Sequence, residues 1–508
     1  MNSKKGLMNI LSNILRQAVS LGLGIIIPRL VLVNLGSESS GLLNSINQLL
    51  AYVTLLEAGV GTASLQALYA PVGHRDHRAV SSIMAATHHF YRRTGTVYLL
   101  VVLILSVIFP LTLKTELSYH TVFLVVLFSG LPGVVNYYFQ GKYKILLQAE
   151  GREYIVTNLM TIINLLTNIG KIVLLLNGYD VVALQLMYLV LSLVQMIYIS
   201  LYIRKHYQWL ELSSEPNYAA LSQSKNVMVH QLSGLIFNNT DMLLLTYFQG
   251  LKTVSVYSMY QLLMGIVDTM LANFTGMSFI LGQTFNQDRK RYIQLHDIFE
   301  LYYTTLTFSL FCITNLFILP FMELYTAGVN DINYLDSALP YFFIVTFLIS
   351  RSRVASMYAI NFAGHFRQTQ HHAVVEAILN LCISILGVWK WGIHGVLLGT
   401  IVSLLYRGSC MVTYAARHIL NRSPWITYRR WLLNLVLFIV VTIIGKKLLS
   451  FAALDSYFSI ICWAVVACVV VIPLFLGVVS LSEREVFATA KEIMSPFLRR
   501  FRIGKHTA

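Results

Sequence analysis

Among the charged residues inside long apolar runs of this sequence, ten stand out: Arg16, Glu57, Lys142, Lys144, Lys171, Asp241, Asp268, Arg351, Arg353 and Glu376. A charge placed in hydrocarbon costs between about 2.5 and well over 10 kcal/mol, so such residues face protein or water and mark sites. Lys142 and Lys144 recur as Arg351 and Arg353 roughly two hundred residues on, as two basic clusters. Guanidinium groups hold phosphate oxygens through a planar fork and ammonium groups add point charge, so the set suits a phosphate or pyrophosphate headgroup. The competing reading places all four just inside a membrane face as topology charges. Lys171 lies deeper and has no acidic residue within four positions, which ranks it below them. Arg16 and Arg29 are thirteen residues apart, roughly 220 degrees around a helix, so one at most lines a cavity. Arg16 is the better choice, because Arg29 is close enough to the span's end to snorkel to headgroups. The carboxylates Glu57, Asp241, Asp268 and Glu376 serve as counter-ions or as acceptors of a coupling proton or cation. No phosphate-binding loop, nucleophile triad or metal-ligand spacing appears, and Cys312, Cys382, Cys410, Cys462 and Cys468 all sit in apolar runs. Neither enzymatic chemistry nor a metal or cofactor is expected.

The elements that carry these charges are membrane helices. Of 508 residues, 56% are hydrophobic and 12% charged, whereas a soluble domain is about 25% charged. The apolar runs are continuous, unlike the alternating strands of a barrel, so the class is all-helical. Fourteen spans are predicted near 8–33, 40–70, 93–113, 120–147, 155–176, 181–203, 226–248, 254–285, 299–320, 337–362, 373–390, 395–416, 431–449 and 457–479. The formal charge of +15 does not indicate nucleic acid, since the basic residues cluster in short loops between spans. One set of loops holds nearly all the arginines, which makes that side cytoplasmic and places both termini there.

A shift of 213 residues sets Leu30 to Val53 on Leu243 to Ile266, with Ser45 on Ser258 and Gln48 on Gln261. A shift of 214 sets Gly178 on Gly392. Two close offsets at distant points predict a duplication with both copies entering the membrane from the same side, as parallel repeats do. The expected organisation is a six-helix lobe over 1–213, a second over 214–427, and two further helices with a basic tail over 428–508.

The segments IPRLVLVNLGSESSGLLNSINQLLAYVTLLEAGVG, NNTDMLLLTYFQGLKTVSVYSMYQLL and LLQAEGRE are diffuse patterns, and on them the chain resembles the multidrug, oligosaccharidyl-lipid and polysaccharide exporter superfamily over roughly Asn9 to Arg430. Within it, the resemblance is to the polysaccharide transporter branch. It implies two six-helix lobes around a cavity that opens alternately to either side, carrying undecaprenyl-pyrophosphate-linked repeat units from the cytoplasmic to the outer leaflet of a bacterial inner membrane. The partners it implies are that anionic glycolipid, the surrounding lipids, and the polymerase and assembly proteins of the same route.

Three rival readings remain. A cation-coupled drug exporter of the same superfamily would carry an acidic cavity, against the basic bias here. A peptidoglycan precursor flippase is hard to separate by sequence. A membrane glycosyltransferase or polymerase would need a longer outer loop than Glu323 to Ser337. The orientation is testable: reporters fused at Asp76, Gln287 and the C-terminal tail are expected to be active as cytoplasmic fusions, and periplasmic activity at these points would refute it.

Overall fold

Hydrocarbon offers the backbone no hydrogen-bond partner, so a chain crossing it repeatedly needs abrupt turns at the membrane faces and unbroken helices between them. The computed structural model describes residues 3–57, 60–221, 239–274, 276 and 278–503, with side chains from 22 to 493 apart from 55, 56, 220 and 221. In these, no strand occurs, and ten helical stretches are long and apolar enough to cross a membrane.

The order is α1 (Ser3–Val53), a 3-10 turn (Thr54–Glu57), α2 (Val60–His74), α3 (His77–Thr112), α4 (Tyr119–Val135), a π-helical turn (Asn136–Gln140), α5 (Gly141–Ala149), α6 (Glu153–Leu176) and α7 (Val181–His206). Then follow α8 (239–248), α9 (Leu251–Phe274), α10 (Ser278–Gln287), α11 (Arg289–Tyr325), α12 (Leu339–Ser352), α13 (Val354–Phe362), α14 (Phe366–His418), α15 (Trp425–Leu449), α16 (Tyr457–Ser482) and α17 (Arg484–Ile503). Two of these, α1 and α14, each contain two spans folded at a glycine outside the helical region, Gly36 and Gly392. The elements account for the fourteen spans expected, with residues 226–238 of the seventh outside the described residues.

The duplication is written into the backbone. Gly36, Gly151 and Gly178 have positive φ, and so do Gly250, Gly364 and Gly392, which lie 214, 213 and 214 residues later. A left-handed residue at the end of a helix favours glycine because a Cβ would clash there, so the same turn chemistry recurs at the same repeat positions. The same shift sets the π-helical turn Asn136–Gln140 on residues 350–354, where the tenth span breaks at Arg353 between α12 and α13.

By contacts the chain divides into two compact units, Met1–Met259 with Gly328–Ile332, and Tyr260–Ala327 with Asn333–Ala508. In the first, α3 packs on α4, α6 on α1, and α7 on both α4 and α6, around a core that includes Leu42, Ile46, Met84, Tyr91, Val102, Val125 and Leu146. In the second, α11 is the hub, packing against α10, α12, α15, α16 and α17.

Inside the second unit the α14 hairpin is closed by bare backbone. A Cβ on Gly395 would stand 2.0 Å from the Gly387 carbonyl oxygen, and one on Gly399 2.3 Å from Ser384 Oγ. Small residues give transmembrane helices this close approach. Gly395→Ala should therefore force the hairpin apart and lower stability by about 1–3 kcal/mol or more. Gly265→Ala, in a helix with nothing within 4 Å of the added methyl, should be neutral or stabilising. Thermal unfolding of the two variants in detergent checks the difference, and equal midpoints would contradict the packing.

Candidate functional site

The first unit's charged cluster is organised by the π-helical turn in the fourth span. Pro132 has no amide to give the ladder one turn before it, and the Asn136 amide keeps its regular bond to the Pro132 carbonyl while sharing with Gly133 as the wider turn begins. The turn is buried among polar partners: Gln140 Nε2 donates to the Ser192 carbonyl at 3.2 Å, and Gln195 Nε2 donates to Gln140 Oε1 at 2.9 Å. Lys144 Nζ donates to Asn136 Oδ1 at 2.9 Å. Lys142, 4% exposed, places Nζ 2.9 Å from His88 Nδ1 and donates to the Tyr138 carbonyl at 3.1 Å.

Glu57 ends the 3-10 turn that breaks the second span and accepts from the Tyr91 hydroxyl. A Cβ on Gly61 would stand 3.3 Å from both Glu57 Oε1 and the Tyr91 hydroxyl and 3.9 Å from Ile145, so Glu57 and Tyr91 lie close to α5. Tyr91 is 1% exposed, and it fits only because residue 141 is glycine: a Cβ there would lie 2.3 Å from the ring. Lys171 sits apart on α6, half-buried, one helical turn beyond the Asn168 to Asn164 hydrogen bond. Among the described residues, Lys142, Lys144 and Lys171 form no salt bridge.

Asp241 belongs to a different neighbourhood. It accepts from the Tyr257 hydroxyl at 3.1 Å, close to the Tyr52–Thr240 hydroxyl pair at 2.7 Å. Continuing away from the arginine-rich side, Ser45 meets Thr246 at 2.7 Å and Asn44 Nδ2 donates to Ser258 Oγ at 3.1 Å. At the end of this seam Gly41 lies so close to Leu251 that a Cβ would be 1.9 Å from its carbonyl oxygen. Asp331 then closes it: its carboxylate accepts from the Ser37 amide at 2.9 Å and the Ser37 hydroxyl at 2.6 Å, just past the Gly36 turn. Glu38 and Glu116 continue the closure, Glu38 accepting from Thr115 Oγ1 at 2.7 Å and Glu116 pairing with Lys252 at 2.9 Å.

In the second unit the buried cations are paired. Asp268 on α9 and Arg351 on α12 form a salt bridge. Arg353, at the break between α12 and α13, donates to Glu376 Oε1 at 2.6 Å, and Arg407 Nε stands 3.8 Å from Glu376 Oε2. Arg407 also donates to the Thr369 carbonyl at 2.8 Å. Two guanidinium groups thus share one carboxylate, which leaves the triad net positive.

Of the residues singled out in the sequence, the structure places Lys142 on His88, Lys144 on Asn136 and Glu57 on Tyr91, and pairs Arg351 with Asp268 and Arg353 with Glu376. Asp241 and Lys171 stand outside these contacts, and the side chain of Arg16 lies outside the described residues. Sequence reasoning missed Arg407, although it lies inside the apolar run 395–416 and the same burial criterion would have found it. It also treated Arg422, Arg429 and Arg430 as loop charges. Here Arg430 is 3% exposed and Glu300 1%, joined at 2.5 Å; Arg422 reaches Glu300 at 2.5 Å; and Glu483 accepts from Arg430 at 3.1 Å and from Arg429. Burial raises the Glu483 carboxyl, but Arg430 and Arg429 outweigh it and hold the group below the usual carboxylate range. The opposite ends of α15 and α16 carry no such network among the described residues, so these two helices are fastened to α11 by charge on the arginine-rich side.

No protein-family model matches the sequence, and no curated protein sequence does. Solved structures match along most of the chain. The lipid II flippase MurJ in an inward closed conformation aligns with a TM-score of 0.69 at 13% identity, covering 94% of this chain and all of its own. An inward-facing multidrug resistance transporter of the MATE family, in the MOP superfamily, aligns at 0.62 and 14%, covering 80% of this chain and 98% of its own. A MOP superfamily transporter from Pyrococcus furiosus, whose binding pocket is described as of reverse polarity, aligns at 0.52 and 14%, covering 83% and 97%. With fourteen spans, a repeat shift of 213 to 214 and these alignments, the chain has the fold of the multidrug, oligosaccharidyl-lipid and polysaccharide exporter superfamily.

Proposed function

We propose that the protein is a flippase that carries a lipid-linked oligosaccharide with a pyrophosphate headgroup across a bacterial inner membrane, by alternating access, for surface polysaccharide assembly. In this reading the arginine-rich side is cytoplasmic, both termini lie there, and the polymerase and assembly proteins of the route receive the product. The observation that supports it most is the surplus of buried cations. Lys142, Lys144 and Lys171 form no salt bridge among the described residues, and the Arg353–Glu376–Arg407 triad has one guanidinium more than it has carboxylates. A buried charge without a partner is costly, and an anionic headgroup supplies the missing partner at the moment of binding.

Two observations favour a pyrophosphate-linked glycolipid over a cationic drug. Asp268 and Glu376 are already neutralised by arginine, so neither is a free carboxylate for a cationic substrate. The likeness to the lipid II flippase extends over 94% of the chain, whereas the likeness to the multidrug transporter extends over 80%. The peptidoglycan precursor is therefore the second reading, distinguished by offering both glycolipids in the same assay.

Transport of a fluorescent pyrophosphate-linked glycolipid into the outer leaflet of proteoliposomes tests the proposal. Arg16→Ala, Lys144→Ala and Arg351→Ala are each expected to reduce it by an order of magnitude or more while insertion stays normal. Arg351→Lys should rescue only in part, because the planar fork is lost. Wild-type transport by all three alanine variants would remove the headgroup site. Normal transport by an Asp268→Asn, Arg351→Gln double variant would make Arg351 a counter-ion alone. Glu376→Gln tests the architecture instead: it strands Arg353 and Arg407 and should lower stability by about 3–5 kcal/mol, read as a drop in thermal midpoint.

A further inference from the structure

The last helix, α17, follows the final span after a single non-helical residue, Glu483. Among the described helices it is the most amphipathic, and unlike the spans it is not apolar on average. Its large apolar residues Phe487, Ile493, Met494, Phe497, Leu498 and Phe501 recur at intervals of three, four and seven, which puts them on one stripe of a helix. The remaining positions hold Arg484, Lys491, Arg499, Arg500 and Arg502 against Glu485 and Glu492, so the rest of the helix is net positive. The stripe is only partly covered by protein: Ala490 is 6% exposed where α17 packs on α11 and α16, but Phe487 is 46% exposed.

Position decides what covers the remainder. The corner at Glu483 is held by Arg429 and Arg430, and Arg430 is in turn locked to Glu300 on α11, so α17 starts at a fixed point at the membrane face where the last span ends. A helix whose sequence carries an apolar stripe and a basic remainder, starting at that level, has the character of one that lies in a membrane interface. We propose that α17 is an interfacial helix that binds anionic phospholipids of the leaflet on the arginine-rich side. The occupant is lipid rather than a protein because the apolar stripe and the charge required of its partner match an anionic leaflet already adjacent to it.

Hydrogen–deuterium exchange of the full-length protein in nanodiscs tests this. Amides of residues 484–503 are expected to exchange more slowly in discs containing phosphatidylglycerol than in discs of phosphatidylcholine alone, and high salt should erase the difference. The Arg499→Glu, Arg500→Glu, Arg502→Glu variant should lose the slowing by about fivefold per arginine, on the order of a hundredfold in all. Unchanged exchange in the fourteen spans of that variant shows that it is folded; should it fail to insert, the salt response of the unaltered protein decides alone. Equal exchange in the two lipids, or a difference that high salt leaves intact, would overturn the proposal. So would the same slowing in phosphatidylcholine discs on adding inorganic pyrophosphate, since α17 would then read a soluble anion.

Discussion

A hydrogen bond lost in hydrocarbon has no water to replace it, and this one constraint explains where the chain is regular and where it departs from regularity. The lipid-facing spans α15 and α16 run as helices of 25 and 26 residues that satisfy nearly all of their own backbones, Pro473 in α16 being the one position with no amide to give. The second, fourth and tenth spans break, and the breaks are supplied by the protein. In the fourth span, Gln140 and Gln195 sit with the π-helical turn, and Tyr137 and Gln140 are each 3% exposed. The tenth breaks at Arg353, whose side chain is spoken for by Glu376. Irregular backbone and buried charge therefore occur together, because each needs the same thing, polar partners sheltered from lipid.

Duplication compounds this economy. The positive-φ glycines recur at shifts of 213 or 214 residues, and so do the interruptions of the fourth and tenth spans. Chemistry at those interruptions has diverged between the copies. The first unit places two lysines beside a wide turn, with ammonium groups bonded to neutral partners. The second places three arginines against two carboxylates, as salt bridges. Ammonium groups held only by neutral acceptors can exchange them for an anion at little cost, whereas a guanidinium in a salt bridge gives up a charged partner. The two units thus differ in how their cations are held, within a shared backbone plan.

The last helices follow another logic. They lie beyond the repeat, and α15 and α16 meet α11 through the Asp297, Glu300, Arg422, Arg430 and Glu483 network. Glu300 is 1% exposed yet flanked by two guanidinium groups, so the desolvation of the carboxylate is offset by paired charge in good geometry. That network sets the corner from which α17 departs.

Spans, turns and their order were legible from the sequence because a membrane imposes local rules: each span has to be apolar over its own length, and most tight turns carry a glycine, Arg75 and Asn421 being the exceptions at positive φ. The repeat was legible for the same reason, since Gly178 and Gly392 announce their turns by type and spacing. Burial of charge was local too, which is how Glu57, Asp268, Arg351 and Glu376 could be singled out, and why Arg407 was within reach. Which charge meets which was not. Asp331 reaches Ser37 across 294 residues, Arg430 reaches Asp297 across 133, and Arg351 reaches Asp268 across 83. Such pairings depend on how each helix is rotated about its axis and where it crosses its neighbours, and no single span's composition contains that information. Only the packed structure could decide it.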